Sequence, residues 1–98
     1  METSSEEINL LIRVTNTLGN PNRANVLFAL LNTGDDGVKI ARELGISQQA
    51  VSAIITRLVQ EGLVEREGFR RGTRYHIPDK TKTLIQQFLS SVGEFVSG

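Results

Sequence analysis

The chain has 98 residues, with 11 basic and 11 acidic side chains, one histidine and no cysteine. That length permits one domain whose core is modest for an isolated monomer, and the missing thiols exclude a disulfide framework or a thiolate metal centre. No apolar run reaches membrane-spanning length and the N-terminus lacks a basic-plus-apolar leader, so a cytoplasmic protein with no membrane partner is expected.

Residues 1–5 read as a loose terminus. From Glu6 to Leu18, the apolar Ile8, Leu10, Leu11, Ile12, Val14 and Leu18 cover more than one narrow stripe. This predicts a helix buried on more than one side, in its own core or against a partner chain. Glu6 and Glu7 suit the positive end of its dipole, and Gly19 closes it. Asn20 and Pro21 restart the chain as a cap and a first helical residue. The second helix runs from Pro21 to about Asn32 and is largely internal through Ala24, Val26, Leu27, Ala29, Leu30 and Leu31. Arg23 and Asn25 lie near its start, within reach of a nucleic-acid phosphate, although solvation is the commoner fate of such side chains. Thr33 to Gly37 is a turn. Its Asp35–Asp36 pair reads as a loop plus a helix cap rather than a cation site.

Val38, Ile40, Ala41 and Leu44 recur at helical spacing. Ala41 allows a second helix to cross closely, Gly45 suits a left-handed terminus, and Ile46 plugs the turn beneath it. Ser47 caps the next helix, which runs from about Gln48 to Glu61. Val51, Ile54, Ile55 and Leu58 form its buried face. Gln48, Gln49, Ser52 and Thr56 lie opposite, with Ala53 and Arg57 on the flanks. That outer face carries few charges and many amides and hydroxyls. Gln can pair with the N6 and N7 edge of adenine, Ser and Thr reach either base type, and small residues permit close approach. Ser47, Gln48, Gln49, Ser52, Ala53, Thr56 and Arg57 are therefore the candidate major-groove residues.

Gly62 ends this helix, and Leu63-Val64 opens a strand that continues through Glu65, Arg66 and Glu67. Gly68 to Gly72 makes a glycine-bracketed loop, and Thr73 to Ile77 returns as a second strand. Arg70, Arg71, Thr73 and Arg74 cluster at or near the tip, where arginine can hold phosphate or enter a minor groove. The last helix follows Pro78 and occupies residues 79–97, with Asp79 as its expected cap. Leu84, Ile85, Phe88, Leu89, Val92, Phe95 and Val96 form one continuous stripe. A helix-turn-helix with a hairpin already closes a core without it. The stripe, with Leu10, Leu11 and Val14 of the first helix, is therefore assigned to a two-fold dimer contact.

The zero net charge argues against a broad basic surface, but the distribution is uneven. Residues 47–77 carry five arginines (Arg57, Arg66, Arg70, Arg71, Arg74) against three acids (Glu61, Glu65, Glu67). Residues 1–20 carry one arginine (Arg13) against three acids (Glu2, Glu6, Glu7).

The stretch ISQQAVSAIITRLVQEGLVEREGFRRGTRYHI resembles the winged-helix half of small repressors of the ArsR type and the MarR type. The matching pieces are Ser47-x-x-x-Val51-Ser52, Leu58-x-x-x-Gly62-Leu63-Val64 and Arg70-x-Gly72-x-x-Tyr75, and LGNPNRANVLFALL resembles the second helix of the ArsR type. The resemblance implies a homodimeric, sequence-specific repressor of few genes that binds double-stranded DNA. Metal sensing does not carry over. The chain lacks the cysteines of the sensing members, its last helix offers Asp79 and Glu94 without a histidine, and His76 lies on the wing strand. The chain is also short for the MarR type, which usually adds helices that form a ligand pocket, and a small-molecule effector stays unknown.

The expected fold is mainly α with a small β-hairpin: a single winged helix-turn-helix domain over residues 1–98, with about five helices and a two- or three-stranded wing. The first helix (6–18) and last helix (79–97) form its dimerisation region. No cofactor is expected. No nucleophile elbow, P-loop or dinucleotide motif suggests an enzyme. The alternative is a winged-helix protein-interaction module of a transcription or replication assembly.

Overall fold

The computed structural model describes residues 5–68 and 74–97. The chain order is α1 (Ser5–Leu18), α2 (Pro21–Thr33), α3 (Gly37–Leu44), α4 (Gln48–Gln60), β1 (Glu65–Glu67), β2 (Arg74–His76) and α5 (Asp79–Ser97). Among the described residues, five helices thus flank one antiparallel hairpin, in which Glu65 faces His76, Arg66 faces Tyr75 and Glu67 faces Arg74.

Short side chains set most helix starts. Asn20 accepts a hydrogen bond from the Arg23 amide at 3.1 Å, with Pro21 opening α2. Asp36 accepts from the amides of Val38 and Lys39, both at 3.1 Å. The Ser47 hydroxyl accepts from the Ala50 amide at 3.0 Å. Each satisfies donors that a helix cannot pair internally. The start of α5 differs from expectation. The Pro78 carbonyl accepts the first helical bond, from the Lys82 amide at 2.8 Å, so Asp79 sits inside the first turn rather than at the cap. There its charge still suits the dipole.

The turn between α3 and α4 is built as its sequence suggests. Gly45 takes φ 67°, ψ 31°, and the Ile46 amide reaches back to the Ala41 carbonyl at 3.1 Å. Ile46 is half-buried beneath it. α2 lies at the centre and buries Ala24, Val26, Leu27, Ala29 and Leu30. Ile40 and Ala41 of α3 and Val51, Ile55 and Leu58 of α4 complete the core with Val14, Leu63, Val64, Ile77 and Ile85.

Three sequence expectations need correction. Leu63 and Val64 do not open a strand. Both amides donate to the Leu58 carbonyl, and the two side chains are driven into the core beneath the end of α4. Val14 and Ile85 have no exposed surface in their own subunit, so neither can supply a contact to another copy. The core is not closed without α5: Thr81 and Ile85 seal it, and Leu84 and Phe88 pack against it. The apolar stripe then divides. Leu89, Val92, Phe95 and Val96 run past the core and are exposed, Phe95 by 88%. The radius of gyration, 14.2 Å, accordingly exceeds the ~13 Å of a compact chain this long.

Candidate nucleic-acid interface

The outer face of α4 carries Gln48, Gln49, Ser52, Ala53, Thr56 and Arg57, all exposed, as is Ser47 at its cap. The inner face is fixed by Val51, Ile55 and Leu58 in the core, so the helix cannot roll to bury these polar groups. Not all of them are equally available. The Ser47 hydroxyl is engaged as the cap. Thr56 donates its hydroxyl to the Ser52 carbonyl at 2.9 Å, which leaves its oxygen as an acceptor. Arg57 Nε lies 2.9 Å from Glu61 Oε1. Gln48, Gln49 and Ser52 make no side-chain hydrogen bond among the described residues, so they present donors and acceptors outward.

A groove of ≈ 840 Å³ runs between this face and the start of α2. It is lined by Asn20, Asn22 and Arg23 on one side and by Gln49, Ser52, Ala53, Ile54, Thr56, Arg57 and Gln60 on the other. Five of the seven residues assigned to the reading helix therefore share one concavity, with Ser47 and Gln48 beyond its edge. Asn22, not Asn25, accompanies Arg23 along it. Asn22 has no distinguishing sequence signal, because its place depends on how α2 crosses α4.

Of the candidate wing residues, Arg74 is exposed on β2, while Arg70, Arg71 and Thr73 lie outside the described residues. The hairpin is not uniformly basic. His76 Nε2 lies 3.1 Å from Glu65 Oε2, its Nδ1 lies 3.5 Å from Glu67 Oε1, and Arg74 stands opposite Glu67. His76 thus engages two carboxylates of its own hairpin.

Two residues outside the sequence-level candidates organise the site. Asp35 Oδ2 accepts from the Tyr75 amide at 3.0 Å, tying the loop before α3 to the hairpin. In an antiparallel ladder alternate amides point away from the partner strand, and this bond occupies one that β2 turns outward. The carboxylate of Glu61, the C-cap of α4, meets three helical residues. It pairs with Arg57, Oε1 lies 3.5 Å from Arg23 Nη1, and Oε2 accepts from the buried Thr17 hydroxyl at 3.4 Å. Arg13 Nη1 donates to the Glu61 carbonyl at 3.3 Å and would lie 3.1 Å from a β-carbon placed on Gly62, whose φ is 77°. Gly62 therefore serves both a left-handed turn and a close approach.

α1 and α5 leave apolar side chains on the surface. Ile8, Leu11 and Ile12 of α1 and the outer part of α5 are exposed. Leu10, Leu11 and Leu84 help line one hollow of ≈ 360 Å³, and Leu18, Phe28, Phe88 and Val92 help line another of ≈ 280 Å³. No described helix is long and apolar enough to cross a membrane.

A model of the MarR family matches residues 20–74, from the cap of α2 to the start of β2. A Halobacterium salinarum protein named as an arsenical resistance operon repressor, ArsR2, is 33% identical over 85 residues, covering 83% of this chain and 69% of that protein. The crystal structure of AntR, an antimony-specific transcriptional repressor, superimposes with a TM-score of 0.73 at 23% identity, covering 97% of this chain and 87% of that one. A homodimeric winged helix-turn-helix DNA-binding domain from Mycobacterium bovis superimposes with a TM-score of 0.74 at 23% identity, covering 96% of this chain and 91% of that one.

Proposed function

This chain belongs to the MarR family, and from that membership we propose that it is a sequence-specific, double-stranded-DNA-binding transcriptional repressor that acts as a homodimer in the cytoplasm. The observation that carries the proposal is the outer face of α4: amides and hydroxyls held outward by a buried inner face, beside a groove rimmed by Arg23 and Arg57. In this reading Gln48, Gln49, Ser52 and Thr56 meet base edges, and Ala53 permits the close approach. Ser47 sets the helix start, and Arg57 lies toward the backbone. Arg70, Arg71, Thr73 and Arg74 hold phosphates or the minor groove.

The homodimer is supported by the apolar surface that one subunit leaves open. Leu11, Leu89, Val92, Phe95 and Val96 are exposed together, with the half-buried Leu10, Leu84 and Phe88 beside them. The Mycobacterium bovis domain of the same fold is homodimeric. Two-fold pairing of this kind sets two reading helices about 34 Å apart, one turn of duplex, in successive major grooves.

Selection of bound duplexes from a random pool, with sedimentation of the free protein, tests both parts. A two-fold symmetric consensus bound by a dimer is expected; a monomer that enriches no sequence removes the proposal. Changing Arg70 and Arg71 to Ala should weaken binding to every duplex. It should also flatten the salt dependence by about 0.9 for each phosphate no longer neutralised. An unchanged slope removes the wing from the interface.

A further inference from the structure

Glu61 stands where local electrostatics disfavours an acid. It is the C-cap of α4, at the negative end of the helix dipole. It also follows Arg57 by four residues, the less favourable order for such a pair. The offsetting interactions come from elsewhere in the fold. Both Arg57 and Arg23 point guanidinium nitrogens at the same carboxylate oxygen, at 2.9 and 3.5 Å. Thr17 donates to the other oxygen. The carboxylate is 23% exposed and Arg23 is 26% exposed, against 60% for Arg57. Arg23 and Arg57 line opposite sides of the groove, whereas Glu61 does not line it and sits behind them.

Sequence-independent binding to a duplex comes almost wholly from cations that neutralise phosphates. Here the two described cations that line the groove are already partly neutralised from within. We propose that Glu61 is a specificity-determining residue. It keeps Arg57 and Arg23 off the backbone of random DNA and releases them only when α4 is seated on its operator. The inference rests on the DNA-binding reading above. Base contacts supply the free energy to exchange carboxylate for phosphate; a loosely held random duplex supplies none. Glu61 therefore acts through the arginines and touches no base itself.

The test compares the wild type with Glu61→Gln, using a fluorescein-labelled duplex of random sequence and one carrying the selected consensus, across a salt series. On random DNA the variant should gain roughly threefold in affinity at low salt. Its slope should steepen by about 0.9 for each arginine freed. On the consensus the slope should not change, because both arginines already meet phosphates there. Identical slopes on random DNA in a variant that melts like the wild type reduce Glu61 to a brace and overturn the proposal. If the variant does not fold, the wild type gives a second readout. The Arg57 Nε–H resonance should stay in place with the random duplex and shift with the consensus; equal shifts with both overturn the proposal. A wild type that binds neither duplex removes the DNA-binding reading itself, and this inference with it.

Discussion

α4 and α5 are both amphipathic, and each leaves one face exposed on the subunit, but the two faces are of opposite kinds. α4 spends most of its apolar side on its own core and presents amides and hydroxyls outward. α5 seals the core with Thr81 and Ile85, then carries its apolar stripe onward into solvent. A polar face held rigidly outward suits a hydrated surface with many donors and acceptors. An apolar face held outward suits another apolar face. In the proposed function, α4 is the helix that reads and α5 the helix that pairs.

Substitutions on the two helices should therefore fail differently. The largest effect is expected on pairing. Joint change of Val92 and Phe95 to Asp removes two exposed apolar anchors, each worth about 1.5–3 kcal/mol when buried. Sedimentation should show a monomer with unchanged helix content; a persisting dimer would place the interface elsewhere. Next, Leu58→Ala opens a cavity under α4 and should cost about 2–5 kcal/mol of stability, read by urea unfolding. A much smaller loss would mean that the inner face of α4 is not the fixed support described. Gln49→Ala should leave stability unchanged and reduce discrimination among operators by about 1–3 kcal/mol if its amide pairs with an adenine edge. An equal loss on specific and random duplexes would count against direct reading. Smallest, Ser47→Ala removes the α4 cap and should cost about 1 kcal/mol. A larger cost on DNA affinity than on stability would assign that hydroxyl to the duplex.

Local chemistry is the legible part of this sequence. Asn20 with Pro21, Gly45 and Ser47 announce the breaks between α1 and α2 and between α3 and α4, because caps and left-handed turns are decided within a few residues. The outer face of α4 is equally plain from its spacing. Periodicity shows which side of a helix is apolar but not what that side meets. Val14 and Ile85 therefore read as partner-facing although their own subunit buries them, and the α5 stripe gives no sign of where the core ends. Leu63 and Val64 look like strand residues because buried turns and buried strands share the same side chains. Glu61 and Asp35 stay hidden because, Arg57 aside, their partners lie 38–48 and 40 positions away. An acid at the end of a helix is the one local oddity that points to Glu61.

The bond from Tyr75 to Asp35 has an evolutionary consequence. A hairpin fastened by a main-chain ladder can be detached only by remodelling a strand, since every residue type supplies the same backbone groups. Here a side chain adds a tie between the hairpin and the loop before α3, and one codon encodes it. Lengthening that side chain to Glu, or removing its acceptor with Ala, alters this tie to the hairpin without touching α4. In the proposed DNA-binding reading, preference for the sequences flanking an operator then drifts separately from preference for its centre.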